Sequence, residues 1–133
     1  MIYALDTNII SYLLRGNTGV TQRWRWERTQ GNPSVIPIIV YYEAKRGLIS
    51  ANAKNKLDAF KRICEALGVT CLTIGDVDTA SRIYFECKKL GCPIEDTDLL
   101  IAAQALSRGY TLVTNNIKHF ERIDGLQLVN WAE

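Results

Sequence analysis

The sequence predicts a three-layer α/β/α sandwich, with helices on both faces of a mainly parallel central sheet of about five strands. Short apolar runs alternate with stretches of three-and-four apolar periodicity along the chain. The runs lie ten or more residues apart, a spacing that calls for crossover connections and excludes tight hairpins. No internal repeat, low-complexity tract or Pro/Gly/Ser-rich linker divides the chain, so its 133 residues are expected to form one domain around a core that 47% hydrophobic residues can supply.

Taken in order, residues 2–5 read as the first strand, and residues 8–15 as a helix that Gly16 ends. A second helix covers residues 20–29 and is broken by Gly31, Asn32 and Pro33. Residues 35–39 read as a second strand leading into a helix over residues 41–49. Asn52 is a good N-cap and Gly68 a good stop for a helix whose stripe is Leu57, Phe60, Cys64 and Leu67. Residues 69–74 read as the third strand. Asp76 then caps a helix with the stripe Val77, Ala80, Tyr84 and Cys87, which closes at Gly91. After Pro93 comes a largely buried helix over residues 99–106, ending near Gly109. Residues 111–114 and 126–129 supply the last two strands.

Composition excludes several classes. The longest apolar runs are far short of the roughly 20 residues that span a bilayer, and the first residues have neither the basic start nor the apolar length of a secretory signal. A cytoplasmic protein with no membrane partner is the expectation. Cys64, Cys71, Cys87 and Cys92 form no C-x-x-C pair and are expected to be buried free thiols. A formal charge of +2 selects no partner by itself. Its distribution is more telling, because Arg15, Arg23, Arg25 and Arg28 surround Trp24 and Trp26, and Lys45 and Arg46 follow. Two readings stand: a surface that holds phosphates and stacks bases, or an amphipathic helix with a solvated basic face and tryptophans in the core.

In open parallel sheets, ligands bind beyond the carboxyl ends of the strands. Asp6 follows the first strand directly, and Glu43 lies about one helical turn past the second. Asp98 opens the buried helix that precedes the fourth strand, and a crossover helix runs antiparallel to the strand it feeds, so Asp98 returns to the edge that holds Asp6. Asn116 follows the fourth strand. Each residue also has an ordinary structural role available: Asp6 and Asp98 as acids at helix starts, Glu43 on a helix surface, Asn116 in a turn. Their common edge argues for more. Carboxylates gathered without cations repel one another, and oxygen ligands favour a hard ion, Mg²⁺ or Mn²⁺, that accepts phosphate oxygens; the natural substrate is a phosphodiester.

The motifs that carry these acids resemble those of the PIN-domain family, and within it the VapC-type toxins. The opening Met1-Ile2-Tyr3-Ala4-Leu5-Asp6-Thr7-Asn8 is similar to the family's apolar strand followed by Asp-Thr-Asn. Glu43 with Leu48 resembles its second block, Asp98-Leu99-Leu100-Ile101-Ala102-Ala103 its third, and Leu112-Val113-Thr114-Asn115-Asn116 with Phe120, Gly125, Leu126 and Trp131 its closing block. The resemblance implies an endoribonuclease with Asp6, Glu43 and Asp98 as catalytic, metal-holding acids, and with the Thr7 and Thr114 hydroxyls beside them. It also implies an antitoxin partner and a homodimer. Arg15, Lys45 and Arg46 are the candidates for contact with RNA phosphates. Many members carry a fourth acid where this chain has Asn116, which offers a carbonyl oxygen and no charge; Asp96 is the candidate for replacing that charge, and one ion or two remain open.

His119 is the only histidine, which excludes a two-histidine acid–base pair, and its place beside Phe120 reads as packing or surface. A catalytically inactive module that binds RNA or a protein is the main rival. A receiver domain is a poor second, because it needs further acids beside the first strand and a lysine after the last.

Overall fold

The computed structural model describes residues 1–132. Five strands, β1 (Tyr3–Leu5), β2 (Ser34–Pro37), β3 (Val69–Thr70), β4 (Thr111–Val113) and β5 (Gln127–Val129), pair in the order β3-β2-β1-β4-β5, every pair parallel. They are flanked by α1 (Thr7–Leu14), α2 (Thr18–Thr29), α3 (Ile38–Ser50), α4 (Lys54–Leu67), α5 (Ile74–Lys89), α6 (Asp96–Arg108) and α7 (Ile117–Phe120). From β1 the chain adds β2 and β3 on one side, then returns across the sheet to place β4 on the other side of β1. Right-handed crossovers in opposite directions put helices on opposite faces, and they open a crevice beyond the carboxyl ends of β1 and β4, where the order reverses.

The core explains the strands' brevity. Leu5, Ile36, Leu112 and Val113 are fully buried, and α6 presses Ile101, Ala102, Ala103 and Ala105 among them. Small residues on successive positions let α6 sit deep, with Gln104 buried among apolar neighbours. The Gln104 amide donates to the carbonyls of Thr70 and Cys71, at 3.1 Å each, and accepts from the Thr70 hydroxyl. A buried side-chain amide is stable only with such partners. Among the described residues, no helix is long and apolar enough to cross a membrane.

Several expected boundaries move. The β-branched run at residues 38–40 is helical, because Pro37, which lacks an N–H, ends the ladder of β2 and stands at the N-cap of α3. Asn52 does not cap α4. It adopts a left-handed conformation (φ 51°) that closes α3, and α4 starts at Lys54 without a side-chain cap. The third strand stops at Thr70, and the cap of α5 is Thr73: its hydroxyl accepts from the Asp76 amide while the Asp76 carboxylate accepts from the Thr73 amide, a capping box. The buried stripe of α5 is Asp76, Ala80, Ile83 and Cys87, whereas Val77 and Tyr84 are exposed. Burial follows an acid there because Arg108 of α6 meets Asp76 at 2.7 Å. All four thiols are free, but only Cys87 is buried and Cys71 is exposed. On α2, Trp24 is half-buried beneath Arg28, whereas Trp26 is 53% exposed under Arg23, so the core takes one tryptophan and leaves the other at the surface.

Candidate active site

Asp6 ends β1 and caps α1. Its extended backbone (φ −74°, ψ 163°) turns the carboxylate back over the helix start, where Oδ1 accepts the Thr7 N–H at 2.8 Å. The capping role and the placement at the crevice are therefore the same geometry. Oδ2 accepts the Thr114 hydroxyl at 2.8 Å, from the residue that follows β4, and the Asn8 amide lies at 3.4 Å. Thr114 is fully buried and its oxygen in turn accepts the Asn116 N–H at 3.0 Å. Only 5% of Asp6 is exposed.

The other two acids face the same crevice from helices. Thr7 donates its hydroxyl to Glu43 Oε1 at 2.7 Å, linking the first turn of α1 to α3. Asp98, the third residue of α6, meets Nε2 of His119 at 2.9 Å. Burial pushes the Asp6 carboxyl above the usual carboxylate range; the Thr114 and Thr7 bonds oppose the shift, and the charges of Asp98 and Glu43 add to it. Among the described residues, the ion pairs of lysine and arginine are Arg23–Glu27, Arg46–Glu43 and Arg108–Asp76, and the His119 ring meets Asp98, so no cation meets Asp6.

A buried carboxylate facing two more and lacking a cation has the donor chemistry that a hard divalent ion satisfies. The side chains are not arranged as a finished ligand shell: among the described residues, no three acidic, histidine or cysteine groups converge on one point. Within the site, Glu43 accepts the Thr7 hydroxyl and Asp98 meets His119.

The weaker candidates separate. The Asn116 side chain is exposed and borders a hollow lined by Ile117, Lys118 and Asn130 that contains none of the three acids; its own link to the site is its backbone amide on Thr114. Asp96 is exposed at the start of α6, beside Tyr84 and Lys88. Arg46 stands 4.0 Å from Glu43 and stacks on Tyr42, so one basic residue borders the acids. Lys45 instead bonds Tyr41 (3.0 Å) and lines an apolar groove between α3 and α4. Arg15 caps the far end of α1, stacked on Tyr12.

Sequence reasoning missed His119 as a member of the site. It rides on α7, a four-residue helix too short for periodicity to reveal. A lone histidine a few residues past a strand that ends at the crevice was the available signal.

Comparison with known proteins agrees with this arrangement. The PIN domain model matches residues 3–126. Ribonuclease VapC1 of Haemophilus influenzae (strain R2866) is 33% identical, with all of both chains covered, and the tRNA(fMet)-specific endonuclease VapC of Shigella flexneri is 29% identical over 98% of each. The solved structure of VapBC2 from Rickettsia felis, bound to a DNA fragment from their promoter, contains a chain that superposes with a TM-score of 0.90 at 31% identity, covering 98% of this chain and 99% of that one. With the motifs, the strand order and the acids at the reversal point all in agreement, the chain belongs to the PIN-domain family, in its VapC branch.

Proposed function

We propose that this protein is a cytoplasmic endoribonuclease, the toxin of a toxin–antitoxin pair, which hydrolyses RNA phosphodiesters with the help of Mg²⁺ or Mn²⁺. The observation that carries the reading is the buried, cation-free Asp6 at the point where strand order reverses, with Glu43 and Asp98 close enough to raise its pKa. The names of the similar proteins, ribonucleases and an endonuclease, support the reaction class, and the solved VapBC structures from Rickettsia felis and Haemophilus influenzae, 31% and 32% identical, support a protein partner that restrains it.

Asp6, Glu43 and Asp98 would hold the ion. When bound, it would supply neutralisation of charge building on the phosphate and a lowered pKa for attacking water. Thr114 fixes the Asp6 carboxylate through Oδ2, and Thr7 holds Glu43 by its hydroxyl. Arg46, which donates to the Tyr42 hydroxyl and stands 4.0 Å from Glu43, borders the acids on the side where an RNA phosphate would be met. A second reading, an inactive module that binds RNA or a protein, is favoured by one observation: among the described residues, no three acidic, histidine or cysteine groups converge on one point.

Cleavage of end-labelled RNA, with Mg²⁺ and with chelator, separates the two. The enzyme reading expects cleavage that needs the ion and is lost in Asp6→Asn. Equal cleavage by wild type and variant, or none by either while RNA is still bound, removes it.

A further inference from the structure

The geometry points to His119 as a positioning residue that orients the Asp98 carboxylate for the divalent ion. The inference rests on the reading of Asp98 as an ion-holding acid.

His119 Nε2 lies 2.9 Å from Asp98 Oδ2, and its other ring nitrogen, Nδ1, lies 3.4 Å from Arg122 NH2. A guanidinium has only donors, so Nδ1 accepts and Nε2 carries the hydrogen that reaches Asp98. The contact is thus a directed N–H donation along a line from Arg122 through the imidazole to the carboxylate. The ring is held in place: it packs edge-on against Phe120, with centroids 5.2 Å apart and planes at 82°. Phe120 itself is 1% exposed, which anchors α7 to the core.

The backbone places this device at the site. Thr114, whose hydroxyl donates to Asp6, accepts the Asn116 amide, and the Asn116 carbonyl accepts the His119 N–H at 3.1 Å. The turn after β4 therefore ties Asp6 to the helix that steers Asp98. Neither Asp6 nor Glu43 has such a nitrogen donor from a ring; Asp98, on the half-exposed start of α6, has no other partner among the described residues to set its rotamer. One oxygen is taken by the imidazole, which leaves the other for the ion. Outer groups of this kind fix a ligand's orientation and raise affinity.

Mn²⁺ binding to the full chain without RNA, followed by electron paramagnetic resonance, tests this apart from catalysis. His119→Ala should weaken Mn²⁺ binding about 10–100-fold, with a matching loss of RNA cleavage at limiting ion. Its melting temperature, and its RNA affinity in chelator, should remain those of the wild type. His119→Gln, which keeps an N–H donor at the same reach, should bind Mn²⁺ within about threefold of the wild type. Unchanged Mn²⁺ affinity in His119→Ala, or His119→Gln as weak as His119→Ala, overturns the assignment. A wild type that neither binds Mn²⁺ nor cleaves RNA defeats the proposed nuclease function itself, a result distinct from wild-type activity that ignores His119.

Discussion

Asp6 and Asp76 are withdrawn from solvent to nearly the same degree, 5% and 1% exposed, yet they are met by opposite surroundings. At Asp76, burial acts to raise the pKa, but the Arg108 guanidinium and the Thr73 amide and hydroxyl outweigh it and hold the carboxyl at about 2. At Asp6, two threonines donate but no cation arrives, and two more carboxylates stand nearby; burial prevails and the pKa rises. Glu27 follows the Asp76 pattern, since bonds from Asn32, Arg23 and Tyr3 overcome its burial and lower its pKa. Burial of an acid therefore does not mark a site. Burial without a compensating charge does, because the fold has left that compensation to something it binds.

The sharpest way to break the comparison is Asp6→Asn. RNA cleavage should fall about 10³-fold, near the upper end for loss of one charge-stabilising group. Its melting temperature should rise, because the amide removes an uncompensated buried charge at neutral pH. A lower melting temperature would mean that Asp6 is a scaffold acid like Asp76.

Asp76→Ala should do the reverse. It strands Arg108 against α5 and removes half of the capping box, so urea denaturation should show a loss of about 3 kcal/mol, the low end for a broken buried pair because Arg108 keeps partial solvent access. RNA cleavage under native conditions should persist.

Acid titration of stability sharpens the contrast. The folded pKa of Asp76 lies below its unfolded value, so its contribution is complete above about pH 4 and is lost as pH falls toward about 2. The folded pKa of Asp6 lies above its unfolded value, so between the two the native state binds the extra proton and stability falls as pH rises. The advantage of Asp6→Asn over wild type should therefore shrink on acidification from neutral pH, before Asp76 begins to titrate. An advantage independent of pH would refute the assigned cause. The smallest effect is expected for Glu27→Gln, which keeps an acceptor for Tyr3 and Arg23 but loses the charge, about 1 kcal/mol by thermal or urea unfolding.

Much of the fold was legible because apolar periodicity is a local property. The strands and long helices announce themselves in residues 2–5, 57–67 and 99–106, where burial and pattern coincide. Misreadings arose where a distant partner overrode the pattern. The apolar face expected at Val77 and Tyr84 gave way to one containing Asp76, because Arg108, 32 positions later, makes that acid buriable. The run after Pro37 looked extended, but its missing N–H ended the strand and the segment coiled.

That Asp6, Glu43 and Asp98 lie near one another was legible in the sequence because each adjoins an element whose direction is predictable, and a parallel sheet returns every strand end to one edge. Their present partners could not be chosen. That Glu43 bonds Thr7 and Asp98 bonds His119 depends on how α3, α6 and a four-residue helix settle around the crevice, which no spacing encodes. Residue order thus determined which oxygens reach the site, through the alternation of strand and helix. Tertiary packing alone decided which of them are compensated, since whether a buried charge meets a cation depends on side chains brought together from far along the chain.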